Sequence, residues 1–201
     1  MDILSQESIF LDLHDIRISY KTFHSGTEPV LLLHGWLDNA NSFDCLAPYL
    51  SKKFKFYALD LCGHGLSQHC KKGADYSLPL AIQQIIEFSE KMNLSKFHLV
   101  GHSLGAAIAS LVAAVIPNNI KTLTLIEGLG PIVQAEEELP QKILHHYKMK
   151  SHRVITQKPS YESIEDGAQD RHLKTALPYK ASLDLAKRGM HKTENSKFTW
   201  S

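Results

Sequence analysis

Cysteine is scarce: Cys45, Cys62 and Cys70 are the three in 201 residues. An odd number without framework spacing excludes a disulfide-stapled secreted domain and points to free thiols in a reducing compartment. No sign of charge dominates, since 22 Lys and Arg face 21 Asp and Glu. There is no long basic run either, so neither a nucleic-acid footprint nor an acidic partner is expected. The longest apolar stretch, Ala106 to Ile116, is interrupted by Ser110 and is too short for a bilayer, so no membrane partner is expected. The opening MDILSQESIFLDLHDI lacks a basic segment followed by an apolar one, so a cytoplasmic protein is expected rather than a secreted one. No G-x-G-x-x-G follows a strand, which argues against a nucleotide-binding or redox α/β domain. Repeats and low-complexity tracts are absent. What is left, 43% hydrophobic and 21% charged, is an ordinary globular balance with material for one sizeable core.

The apolar pattern alternates between strand and helix. Phe10 to Phe23 predicts two strands, the second with Ile16, Ile18 and Tyr20 on one face and Arg17, Ser19 and Lys21 on the other. PVLLLHG (29–35) is a continuous apolar run, which suits a strand covered on both faces. Helical spacing at Phe43, Leu46 and Leu50 predicts a helix within 42–51, and KFKFYALDLCGHG (53–65) a strand entering a glycine-rich loop. Ser77 caps a predicted helix over 77–93 carrying Ile82, Ile85, Ile86 and Met92. KFHLVG is a strand, LGAAIASLVAAVIP a helix stopped by Pro117, and KTLTLIEG (121–128) a further strand. This order predicts an α/β fold, a mostly parallel sheet with helices on both faces. Beyond Val133 strand signals fade and charged helical stretches take over. The expected division is a core over 1–132 and a helical lid over 133–201.

Gly101-His102-Ser103-Leu104-Gly105 matches G-x-S-x-G. A chance match in such a chain has odds of roughly one in fifteen, so context must decide. Here a strand precedes the motif and an alanine-rich helix follows. A nucleophilic serine needs that arrangement, because a tight turn lifts its side chain clear of the sheet. Glycine is expected at 101 and 105 because a β-carbon there would collide with the strained turn. Acyl transfer also needs two backbone N–H donors for the oxyanion. Leu104, after the serine, supplies one, and Trp36 in the strand-to-helix loop Leu33-His34-Gly35-Trp36 the other.

HGWLDNANSFD, DLCGHGLS, GHSLGA and LIEGLGP, in this order, resemble the α/β-hydrolase superfamily, and within it a serine hydrolase-like branch near the epoxide hydrolase and haloalkane dehalogenase-like proteins. YESIEDGAQDRH and LAKRGMHKTENSKFTW are similar to that branch's helical cap. The resemblance implies an α/β-hydrolase fold and a serine hydrolase, an esterase acting on a carboxylic ester or similar acyl bond of a small hydrophobic substrate, with no cofactor and no metal. Dehalogenase relatives carry Asp as nucleophile; Ser103 here favours ester-type hydrolysis. His34, Gly35, Gly101, His102 and Gly105 support the elbow and its loop.

The resemblance also implies an acid and a histidine after the serine, the histidine following the last strand. The sequence ends at FTWS before two such strands, so the fold is expected to lack its last two strands and the chain to be a truncated, catalytically defective fragment or pseudoenzyme as the alternative to a working enzyme. Self-association through the sheet edge left open is then expected. His145, His146, His152, His172 and His191 all fall in the helical segment and read as solvated or lid-packing residues. Glu127, just after a strand, is the candidate acid, competing with a structural strand-end role. Asp60 is expected to order its own loop. Cys62, His64, His69 and Cys70 have zinc-binding side chains, but four ligands within nine residues of a glycine-rich loop would need an unusual fold-back.

Overall fold

The structure, a computed structural model, describes residues 8–71, 75–131, 136–151 and 158–201. A six-stranded sheet runs in the order β1-β2-β4-β3-β5-β6. Its strands are β1 (Ile9–Asp12), β2 (Arg17–Phe23), β3 (Glu28–Leu33), β4 (Phe54–Leu59), β5 (Phe97–His102) and β6 (Ile120–Ile126). β1 and β2 join antiparallel, while β4, β3, β5 and β6 are mutually parallel.

β3 shows why its apolar run does not alternate. Leu31 and Leu33 enter one core, with Tyr57, Leu59, Phe97 and Leu99 of the neighbouring strands. Val30 and Leu32 enter a second core on the opposite face, with Phe56 and Ala58. The first core is closed by α1 (Leu78–Lys91) through Ile85 and Phe88, and by α2 (Leu104–Val115) through Ile108, Ala109 and Val112. Ser77 caps α1 by accepting from the Leu80 N–H at 3.4 Å, and α2 ends just before Pro117.

The second face is covered differently from expectation. Residues 42–51 do not form an α-helix; two 3-10 turns, Ala40–Phe43 and Ala47–Tyr49, stand there instead. Pro48, without an N–H and with a ring that clashes one turn back, breaks the run. Ala40, Phe43 and Ala47 of these turns close the core. The polar face of β2 is consequently buried as well: Ser19 and Lys21 are 0% and 3% exposed. The Lys21 ammonium donates to Asn41 Oδ1 at 2.8 Å and pairs with Asp44.

The segment after β6 is only partly helical. α3 (Leu139–Ser151), α4 (Ile164–Lys174) and α5 (Tyr179–Gly189) are followed by a hairpin of β7 (Met190–Lys192) and β8 (Phe198–Trp200). The expectation that strand signals end at 133 is corrected: three-residue strands are too short to display a period. α4, α5 and the hairpin share a small core of Ala168, Ala186 and Met190 under Tyr161, Phe198 and Trp200. α5 sits on the first 3-10 turn, where Asn39 Nδ2 donates to Leu185 O and Asn41 Nδ2 to Asp184 O. The expected core–lid boundary at 132/133 lies outside the described residues. Among those described, no helix is long and apolar enough to cross a membrane.

Candidate active site

The register of the parallel strands builds the site. Leu33 of β3 lies opposite Gly101 of β5, so the loop after one strand and the turn after the other emerge side by side at the carboxyl edge of the sheet. Ser103 makes that turn with φ 51° and ψ −113°, a positive φ on a residue with a β-carbon. Such a conformation costs on the order of 1–3 kcal/mol and persists only where its surroundings enforce it. The enforcement is visible. A β-carbon on Gly101 would lie 2.2 Å from Gly105 O, and one on Gly105 2.2 Å from Leu33 O. The Ser103 N–H is held by Ile126 O of β6 at 2.9 Å.

Ser103 is exposed, and among the described residues its hydroxyl has no hydrogen-bond partner. Leu104 is the first residue of α2, so its N–H belongs to the first turn, which a helix leaves without an internal acceptor. Leu104 and Trp36 share the wall of an apolar cavity of about 180 Å³ with Leu61, Cys62, Tyr76 and Ile108. Trp36 and His64 also line a second, more polar cavity of about 410 Å³, whose far wall is the lid: Tyr161, Asp170, Arg171, Lys174 and Trp200.

His34 anchors the loop that carries Trp36. It is fully buried, its Nε2 accepts the Leu61 N–H at 3.0 Å, and its Nδ1 lies 2.8 Å from Gly35 O. Burial, reinforced by the charge of nearby His64, pulls its pKa down to about 4. The ring is therefore neutral near pH 7, with the proton on Nδ1 donated to Gly35 O. Gly35 is small because His102 packs on it: a β-carbon would sit 3.0 Å from His102 Nδ1. His102 stands between two carboxylates, Asp38 Oδ2 at 3.9 Å and Glu127 Oε2 at 3.6 Å. Glu127 follows β6 with φ 52°, and its side chain is 81% exposed.

None of the described lid histidines is brought to Ser103. His145 and His191 are exposed, and His172 is 2.7 Å from Leu177 O. His152 and the side chain of His146 lie outside the described residues. Cys62, His64, His69 and Cys70 fold back only in part: the two sulfurs approach each other, while His69 Nδ1 contacts the Tyr76 hydroxyl at 2.8 Å. Among the described residues no three His, Cys, Asp or Glu group as a metal ion requires.

Asp60 orders more than its own loop. It accepts from the N–H groups of Ala40 and Leu66 and, with both oxygens, from Arg188 Nε at 3.0 and 2.9 Å. Arg188 also donates to Ser19 Oγ at 2.9 Å, so α5 is clamped into the core by a buried cation. A second lid contact runs from Arg171 of α4 to Asp38 and to Leu37 O. Sequence reasoning missed Arg188, Arg171 and Asp38; their charges carry no local signature.

A strained serine between a parallel strand and a helix, beside a glycine loop on the next strand, defines the class of elbow-bearing α/β folds. The alpha/beta hydrolase fold family matches residues 28–150, and the chain belongs to it. It is similar to human serine hydrolase-like protein, 33% identical over 134 residues covering 67% of this chain and 65% of that one. A serine hydrolase-like protein of Dictyostelium discoideum is 36% identical over 114 residues, covering 56% of this chain and 32% of that protein. The chain thus spans between about a third and two thirds of the length of these relatives. In three dimensions it is similar to a hypothetical protein of Pseudomonas aeruginosa PAO1, with TM-score 0.91 at 34% identity, covering 96% of this chain and 69% of the other. It is also similar to a thioesterase domain from the curacin biosynthetic pathway, with TM-score 0.82 at 26% identity over 98% and 73%.

Proposed function

We propose that Ser103 is an acyl-accepting nucleophile and that the protein hydrolyses a carboxylic ester or similar acyl bond. The observation that carries this reading is the enforced positive φ of Ser103 between β5 and α2. The apolar cavity beside it, walled by Trp36 and Leu104, fits a small hydrophobic acyl group. In the proposed step Ser103 Oγ bonds to the acyl carbon, the Leu104 and Trp36 N–H groups receive the developing oxyanion, and the alcohol leaves with a proton. Water then attacks the acyl-serine and regenerates the hydroxyl. Glu127 is the candidate acid, His34 and Gly35 shape the oxyanion loop, and Gly101, His102 and Gly105 hold the elbow. No cofactor or metal takes part in this chemistry.

A second reading is an acyl-ligand binder without efficient turnover. It is favoured by the Ser103 hydroxyl having no partner among the described residues: with no described base held against it, its proton passes to solvent. Oxyanion stabilisation and binding alone leave roughly 10³–10⁴-fold over water in serine proteases stripped of their triad. A fluorophosphonate probe should label the protein at Ser103, slowly if the second reading holds, and Ser103→Ala should abolish the label. Labelling that survives the substitution sinks both readings; p-nitrophenyl acetate turnover separates them.

A further inference from the structure

The loop after β4 carries a chemistry the acyl reading does not use. Cys62 Sγ and Cys70 Sγ lie 2.7 Å apart, inside the contact distance of two unbonded sulfurs. A disulfide bond is about 2.05 Å long, so closing one here asks for a shift well below an ångström. Both thiols are free, and eight residues of chain separation bring them together by folding rather than by adjacency. The third thiol, Cys45, is exposed in the segment between the two 3-10 turns.

We propose that Cys62 and Cys70 form a reversible redox pair, a dithiol that a small-molecule disulfide converts into an intrachain disulfide. Exposure sets the order of events. Cys70 is half-buried and is the thiol an incoming disulfide reaches, whereas Cys62 is buried. Burial, helped by the Cys70 sulfur beside it, pushes the Cys62 thiol up to about 12, which makes it a poor first attacker. The Cys70 thiolate attacks one sulfur of the reagent, forming a mixed disulfide and releasing one thiolate. Cys62 then gives up its proton, its sulfur displaces the second thiolate, and the Cys62–Cys70 bond closes. Two protein thiols and one reagent disulfide become one protein disulfide and two reagent thiols.

The modification touches the cavity directly, because Cys62 lines its wall together with Trp36 and Leu104. Tyr76, also in that wall, accepts the Cys70 N–H at its hydroxyl at 3.3 Å. A disulfide therefore closes the loop from Cys62 to Cys70 beside the acyl cavity. None of this depends on Ser103 being a nucleophile.

The test reads thiols rather than activity. The 201-residue chain, incubated with oxidised glutathione, is denatured in excess iodoacetamide and mapped by mass spectrometry. The expected result is an unmodified pair, Cys62 and Cys70, that has lost two hydrogens and is restored by dithiothreitol, while exposed Cys45 carries either the alkyl group or glutathione. Cys62→Ser should trap Cys70 as a lasting glutathione adduct. In the untreated native chain, phenylarsine oxide should cap Cys62 and Cys70 with one arsenical, a readout that needs no variant. Three alkylatable thiols after oxidation, a persistent glutathione adduct on wild-type Cys70, or no arsenical uptake would each overturn the pair.

Discussion

At the scale of single residues, His34 shows how a buried ring positions a loop and makes it sensitive to acid. Its Nε2 is an acceptor for the Leu61 N–H, a bond that protonation removes. Its pKa in the fold is about 4, against 6.5 for a free imidazole. Between these values the unfolded chain binds a proton that the folded chain refuses, so stability rises with pH across the window and falls as the solution is acidified through it. The shift corresponds to on the order of 3 kcal/mol. Urea melts of the wild type should lose most of that between pH 6.5 and pH 4, whereas His34→Gln, which keeps an acceptor but cannot titrate, should give a flatter profile over the same interval. His69 is lowered too, mainly by its own burial, and is common to both proteins in the comparison. Parallel pH profiles would remove His34 as the source.

At the scale of elements, a buried cation ties α5 to the core of the sheet. Arg188 near the end of α5 meets Asp60 with 5% and 0% of the side chains exposed. Removing one partner of such a pair leaves a buried charge, which typically costs about 3–5 kcal/mol. Arg188→Ala should therefore lower the stability of the whole chain by that amount in chemical denaturation. Arg188→Lys should recover only part of it, because an ammonium cannot engage Asp60 and Ser19 in the same fork. A substitution that leaves the midpoint unmoved would mean that α5 is held by other contacts. The elbow was legible in the sequence because strand, glycine, serine, glycine and helix follow one another within one local turn. Arg188 was not, since its partner is 128 residues away and a lysine-arginine pair at a helix end reads as solvated charge. The 3-10 turns at 40–49 were hidden by a helical spacing that Pro48 overrides, and the β7–β8 hairpin by strands of three residues.

For the whole molecule, β6 is the edge strand of the described sheet. β6 pairs with β5 on one side, and among the described strands nothing pairs on the other. Leu123 and Ile126 are 39% and 38% exposed along it. An apolar edge with free N–H and C=O groups templates pairing with a second copy of the chain. Light scattering after size exclusion should show mass rising with concentration, and Leu123→Lys, which puts a charge on the edge, should shift it toward the monomer. A concentration-independent monomer would refute pairing through β6. The parallel order of the sheet was readable from the alternation of apolar runs, but the exposure of its edge depends on what packs there, which no local pattern encodes.

The cavity of about 410 Å³ beneath the lid has a consequence of a different kind. The chain contains two tryptophans, Trp36 and Trp200, and both line that cavity from opposite sides. Trp36 lies edge-on to His64 at 5.5 Å, and the guanidinium of Arg171 lies 5.2 Å from the ring of Trp200. Every indole in the molecule therefore faces the same space, one from the loop after β3 and one from the hairpin. The ultraviolet emission of this protein is an unlabelled optical report from a single compartment, with no tryptophan elsewhere to dilute it.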